Sequence, residues 1–97
     1  MSDKLRLEYY VTAEAQKMPR FRIADYVVEK YPHFVKVRGV WHSEICVRLG
    51  DWVRKSGGEY GVNYHYAMSE FMFAQHDLCM LFMVRFQGVP VDDIYTR

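Results

Sequence analysis

His42 and Cys46 form a close pair of possible zinc ligands in this 97-residue chain. Structural zinc sites usually combine two such pairs, with the ligands of each pair about two to five residues apart. Cys46 also falls on the apolar side of a predicted helix, where a thiol behaves as a small hydrophobic side chain. The spacing therefore predicts neither a metal site nor a cofactor.

The nucleophilic side chains lack the surroundings that catalysis requires. Cys79 lies within an apolar run, where burial raises the pKa of a thiol and hides it from a substrate. Ser43 and Ser69 do not stand in a GxSxG turn, and Gly57-Gly58 follows a predicted helix instead of preceding one, so no phosphate-binding loop is formed. The acidic pair Asp92-Asp93 falls in a predicted tail. We therefore expect the protein not to be an enzyme.

Length and composition favour one small globular domain over residues 1–97. The chain is 51% hydrophobic and 16% aromatic, which is enough to bury a core and excludes intrinsic disorder. Two cysteines are too few for a disulfide scaffold, and the longest apolar run, residues 78–84, is far shorter than the roughly 20 residues needed to cross a bilayer. No signal peptide is recognisable, so we expect a cytoplasmic protein without a membrane partner.

The first half of the chain predicts two strands and two helices. Alternating hydrophobicity over residues 4–12 is typical of a half-buried strand, and a short connection follows up to Pro19. Apolar residues at helical spacing predict a helix over 20–31, for which β-branched residues leave a strand as the alternative. Residues 33–40 alternate again and predict a strand. Residues 43–55 carry a serine N-cap, one apolar stripe and basic residues in the last turn, so they predict a helix.

The second half predicts strands. Residues 60–68 alternate with tyrosines on one face, and residues 71–73 mark a further strand. Residues 78–84 are apolar at every position, as in a central strand with two buried faces. Residues 75–77 would then form a hairpin turn.

The apolar run also permits a second interpretation, in which Asp77 caps a short buried helix that precedes a strand over 84–86. From Gly88 onwards, residues 88–97 are expected to form a loose or edge-covering tail. The whole pattern predicts an α+β fold: an antiparallel sheet of about four to five strands with two helices packed on one face.

Charge and composition indicate a binding surface. Residues 1–58 carry eleven basic and seven acidic residues, whereas residues 59–97 carry two and five. The basic excess lies within residues 17–38 and could dock an anionic surface, unless these charges only solvate ordinary elements. Six methionines and sixteen aromatic residues exceed what so small a core can hide, which predicts a protein partner or a second copy. Candidate partner-binding residues are Arg20, Arg22, Lys36, Arg38 and Trp41.

Trp41 has two interpretations. It lies between two predicted elements and could be an exposed anchor for a partner. Alternatively, it packs as a hydrophobic staple on the helix that begins near Ser43.

An alternative function is binding of single-stranded nucleic acid. A sheet face that exposes Tyr64, Tyr66 and Phe71 beside the basic Lys36 and Arg38 would resemble the stacking platforms of RNA-binding proteins. In the competing interpretation these aromatic residues are core. The near-neutral net charge of +1 argues against the nucleic-acid hypothesis.

The stretch from Gly50 to Phe86 resembles small accessory proteins of tailed bacteriophages. The resemblance covers about a third of the chain and includes no catalytic or ligand residue. It implies a compact phage-encoded protein in the host cytoplasm that regulates or inhibits a host or phage complex by stoichiometric binding, or a minor structural component. The residues that carry it are Asp51-Trp52, Gly57-Gly58, Tyr60-Gly61, Phe71-x-Phe73, Asp77 and Phe82-x-Val84-x-Phe86.

Overall fold

The computed structural model describes residues 4–15, 17, 25–38, 43–67 and 70–95. None of the helices in this part of the chain is long and apolar enough to cross a bilayer. The elements are, in order, β1 (Arg6–Val11), α1 (Thr12–Ala15), α2 (Asp25–Lys30), β2 (His33–Arg38), α3 (Ser43–Lys55), β3 (Tyr64–Ala67), β4 (Glu70–Phe73), α4 (His76–Phe86) and α5 (Val91–Tyr95).

The four strands form one antiparallel sheet in the order β1-β2-β4-β3. Leu7 lies opposite Val37, and Val35 lies opposite Phe71, so these side chains share one face of the sheet. The sheet and the two longer helices, α3 and α4, confirm the predicted α+β fold.

The main core lies between this face and the helices α3 and α4. Phe82 of α4 is fully buried, with its ring centroid 5.0 Å from that of Phe71 and 5.3 Å from that of Phe73. Trp52 of α3 contacts Phe82 and Phe86 at 6.1 and 5.2 Å. Aromatic contacts between rings at these distances add to the burial of apolar area. They join the two helices to each other and to the sheet.

The second face of the sheet is covered in part by α2 and the residue that follows it. Val27, Tyr31, Phe34 and Met72 are buried together there. The helix predicted before Pro32 therefore lies across the sheet from α3, and the helix that shares a face with α3 is α4. The reason is that β2 has buried apolar residues on both faces, Val35 and Val37 on one and Phe34 on the other, so both faces need a covering layer.

The predicted central strand over residues 78–84 is wrong, because these residues lie in α4. Leu78, Cys79, Phe82 and Phe86 are the buried members, and they fall on one side of a helix. The predicted hairpin turn at 75–77 is wrong too, since Gln75 is extended and α4 begins at His76. The alternative prediction, a short helix capped by Asp77, is closer to the observed start of α4. It is wrong about the end, because α4 continues to Phe86 and leaves no strand over 84–86.

The strand predicted over 60–68 is shorter in the structure. Its described part is Tyr64–Ala67, and residues 61–63 form a turn. The Asn63 side chain holds this turn: its oxygen accepts a hydrogen bond from the Glu59 N–H at 2.6 Å, and its nitrogen donates to the Gly57 carbonyl at 3.0 Å. Such local side-chain bonds compete with pairing along a strand.

The tail beyond residue 88 is not loose where the structure describes it. Val91 and Ile94 of α5 are buried in the main core. The Gln87 side chain accepts a hydrogen bond from the Leu7 N–H at 2.7 Å and donates one to the Leu7 carbonyl at 2.9 Å. The chain after α4 also follows this edge of the sheet, since the Leu5 N–H donates to the Val89 carbonyl at 2.9 Å and the Gly88 N–H donates to the Leu5 carbonyl at 2.8 Å.

Alanine should have opposite effects at Gly58 and Gly50. A Cβ atom at Gly58 would lie 2.5 Å from a Val53 methyl group and 2.8 Å from the Val53 carbonyl oxygen, so Gly58→Ala should destabilise by about 1–3 kcal/mol. At Gly50, inside α3, the nearest atom is 3.8 Å away on the Arg54 side chain. Gly50→Ala should therefore stabilise by up to about 1 kcal/mol. Urea unfolding measures both, and a Gly58→Ala variant as stable as wild type would contradict this packing.

Candidate interaction surface

Two of the five predicted binding residues are described by the structure. Lys36 and Arg38 lie on β2, with side chains on the face that α2 partly covers. Arg38 Nε lies 2.7 Å from Glu8 Oε1 on the neighbouring strand. The other three predicted residues, Arg20, Arg22 and Trp41, lie outside the described residues.

Lys36 and Arg38 lie beside acidic side chains on the sheet face that α2 partly covers. In the strand register Lys36 lies opposite Glu8 on one side and Glu70 on the other. Hydrogen bonds from Tyr10 and from Arg38 lower the pKa of Glu8 and keep it ionised. A face with alternating charges offers little net attraction to a polyanion, because binding to nucleic acid depends on unneutralised lysine and arginine.

The predicted stacking platform is not formed. Tyr64 is 1% exposed and Phe71 is fully buried, and both belong to the main core. Tyr66 is half-buried and packs against the same core, on the opposite face of the sheet from Lys36 and Arg38. The interpretation of these aromatic residues as core is the one that the structure supports.

Helix α4 is apolar on both of its sides. Opposite its buried side lies a stripe that contains Asp77, Leu81 and Val84, which we call the outer face of α4. Val84 is 83% exposed and Leu81 57% exposed, and Val84 is the most exposed large hydrophobic residue in the described part of the chain. A helix that packs on a core by one side normally turns a polar side to water. The outer face of α4 therefore has the composition of a contact surface.

Helix α3 shows that this exposure is not imposed by the fold. It packs on the same core, yet its residues outside the core are mainly charged, and they hold ion pairs such as Glu44 with Arg48 and Asp51 with Arg54. Val47 is its exposed apolar residue among those described, at 58%. The helices α3 and α4 pack on the same core but expose different kinds of side chain. The apolar stripe is therefore specific to α4.

Both ends of α4 are fixed to the sheet. At its start, the His76 ring lies edge-on to the His33 ring of β2, with centroids 5.3 Å apart. At its end, Gln87 is hydrogen-bonded to Leu7 of β1. Phe82 anchors the middle of the helix in the core. The outer face is therefore held in one orientation before any partner binds, which lowers the entropic cost of association.

A groove of about 220 Å³ adjoins the outer face, between α3, the end of α4 and α5. The aromatic side chains of Trp52 and Phe86 line it, and Lys55 and Arg85 stand at its rim. The Arg85 guanidinium lies over the Phe86 ring at 5.1 Å from its centroid. Because Asp51 and Asp93 also line it, the groove suits an apolar side chain of a partner and favours neither sign of charge.

Several titratable side chains lie near one another at the start of α4. The Tyr9 hydroxyl and His33 Nδ1 lie 2.8 Å apart, and burial, with a smaller effect of His76, lowers the pKa of His33. Burial raises the pKa of the Cys79 thiol to about 12, so it is not a thiolate at neutral pH. Among the described residues, no three His, Cys, Asp or Glu side chains come together as metal ligands.

No family model, no curated protein and no solved structure matches this chain. The resemblance to phage accessory proteins therefore stays a prediction.

The outer face of α4 was missed at the sequence level, although its signal was visible. The run of residues 78–84 is apolar at every position, a pattern that predicts a central strand with two buried faces. A helix with an apolar side toward the core and a second toward a partner produces the same pattern. Periodicity alone does not separate the two.

The lowered pKa of His33 predicts that stability declines as the pH falls below about 6.5, because the unfolded chain then binds a proton more readily than the folded one. His33→Asn, which keeps an acceptor for the Tyr9 hydroxyl, should reduce this loss. Urea unfolding of both proteins at about pH 7.5 and about pH 5.5 measures it. The raised pKa of Glu70 acts in the opposite direction in both proteins and cancels in the comparison. If wild type and His33→Asn lost the same free energy of unfolding between the two pH values, His33 would not be the source of the pH dependence.

Proposed function

We propose that the chain is a non-enzymatic binding module that associates stoichiometrically with a protein through the outer face of α4. In the same proposal it acts as a regulator or inhibitor of a host or phage complex, which is the role that the resemblance to phage accessory proteins implies. The observation that carries the proposal is the 83% exposure of Val84, beside Leu81 at 57%, on a helix whose opposite side is core.

Burial of the apolar side chains of the outer face would release enough free energy for binding. Complete burial of a valine or leucine side chain contributes about 1.5–3 kcal/mol. Leu81 and Val84 are three residues apart on the helix, so one partner can cover both at once. These residues could supply the apolar centre of a small interface, whose polar rim adds specificity.

The charge of the surface favours protein over nucleic acid. The outer face itself carries one acidic side chain, Asp77, and Arg85 lies at its margin. Nucleic-acid binding would require several cations directed at phosphates, whereas an apolar stripe with one acid and one base suits another protein.

Val84→Glu should abolish association, because it places a charge where the partner must exclude water. The matched control is Val47→Glu, which makes the same change at an exposed valine on α3. Each purified protein is immobilised and exposed both to nuclease-treated bacterial lysate and to its own soluble form. We expect wild type and Val47→Glu to retain a protein partner in a stoichiometric amount, and Val84→Glu to lose it.

Two results would contradict this proposal. One is a partner that Val84→Glu retains as well as wild type does, because the outer face would then not be its binding site. The other is a partner that disappears after nuclease treatment, which would favour the nucleic-acid alternative. Thermal unfolding of the two glutamate variants checks that both are folded.

A further inference from the structure

The outer face of α4 is bounded by one acidic and one basic residue at equal distances from its centre. Asp77 and Arg85 each lie four positions from Leu81 in the 11-residue helix. The Asp77 side chain is fully exposed, with His76 Nδ1 4.0 Å from its carboxylate. Arg85 lies against Phe86 and reaches the groove beside α5.

This arrangement is self-complementary. When two copies of a helix pack antiparallel about a two-fold axis, each residue meets the residue at the same distance on the other side of the axis. An axis at Leu81 places Asp77 of each copy beside Arg85 of the other. The same axis brings Leu81 against its own equivalent and places Val84 inside the contact. Parallel packing would instead bring the two Asp77 carboxylates together.

We propose that the partner of the outer face of α4 is a second copy of this chain, packed antiparallel with Leu81 at the two-fold axis. This inference rests on the proposed function and names the occupant of the same site. Each apolar residue of the face contributes twice in such a dimer, as does the ion pair between Asp77 and Arg85. The charges set the direction of packing, and the apolar residues supply the affinity.

The size of the helix sets the expected strength of the dimer. Eleven residues span about 16 Å, so a contact made chiefly by α4 falls at the low end of specific interfaces, below about 1,200 Å² in total. We therefore expect a reversible dimer with a dissociation constant on the order of micromolar. Sedimentation equilibrium over a concentration series of the full chain measures this constant.

Charge reversal tests the direction of packing. In a dimer of Asp77→Arg, the new arginine at position 77 of each copy lies beside Arg85 of the other. In a dimer of Arg85→Asp, the new aspartate at position 85 of each copy lies beside Asp77 of the other. Each variant alone should therefore dimerise about tenfold more weakly than wild type. An equimolar mixture of the two variants should recover the wild-type constant, because every new arginine then faces a new aspartate. Asp92→Arg, which reverses an exposed acid on α5, should dimerise as wild type does.

Each substitution could also weaken dimerisation by destabilising the end of α4 that carries it. Both substitutions are still present in the mixed dimer, so recovery of the wild-type constant there shows that the charges, and not the helix ends, caused the loss. A wild-type dimer that neither reversal weakens would overturn the antiparallel arrangement. A wild-type chain that stays monomeric, while it retains a foreign protein in a Val84-dependent manner, would overturn the second-copy inference and leave the proposed function in place. A monomer that retains no protein would overturn both.

Discussion

The packing of Phe82 against Phe71 and Phe73 determines where the rest of the structure can lie. With ring centroids 5.0 and 5.3 Å from the two sheet residues, Phe82 fixes the rotation of α4 about its own axis. That rotation turns Leu81 and Val84 toward water, because a helix advances by about 100° per residue. The same packing brings Trp52 of α3 onto α4. The core and the exposed stripe are therefore two consequences of one contact.

A second constraint comes from β2, which has buried apolar residues on both faces although Lys36 and Arg38 share the face of Phe34. Phe34 requires α2 on one side of the sheet, and Val35 requires α3 and α4 on the other. The segment after α4 then returns along the edge strand β1, where Gln87 and the buried Val91 hold it. Both faces of the sheet and part of its edge are covered in this way. The outer face of α4 is left as an apolar surface without a covering layer among the described elements.

The sequence predicts what depends on local periodicity and misses what depends on packing. Residues 6–11, 33–38 and 43–55 have a clear period and are found as the expected strands and helix. Residues 78–84 have no period, so only the aromatic contacts of Phe82 decide that they are helical. For the binding surface, the excess of methionine and aromatic residues does not identify the exposed residues of α4, since Leu81 and Val84 are aliphatic. The exposure of Leu81 and Val84 depends on the rotation of α4, which no local pattern predicts. Of the predicted basic residues, the two that the structure describes, Lys36 and Arg38, lie beside acidic residues of neighbouring strands.

The central claim is that the outer face of α4 is buried against a second copy. Intermolecular nuclear Overhauser effects in a mixture of labelled and unlabelled chains at high concentration test it directly. We expect contacts from the methyl groups of Leu81 and Val84 to outer-face side chains of the other copy, and none from Val47. The absence of intermolecular contacts at Leu81 and Val84, with Val84 equally accessible to solvent at every concentration, would contradict the claim.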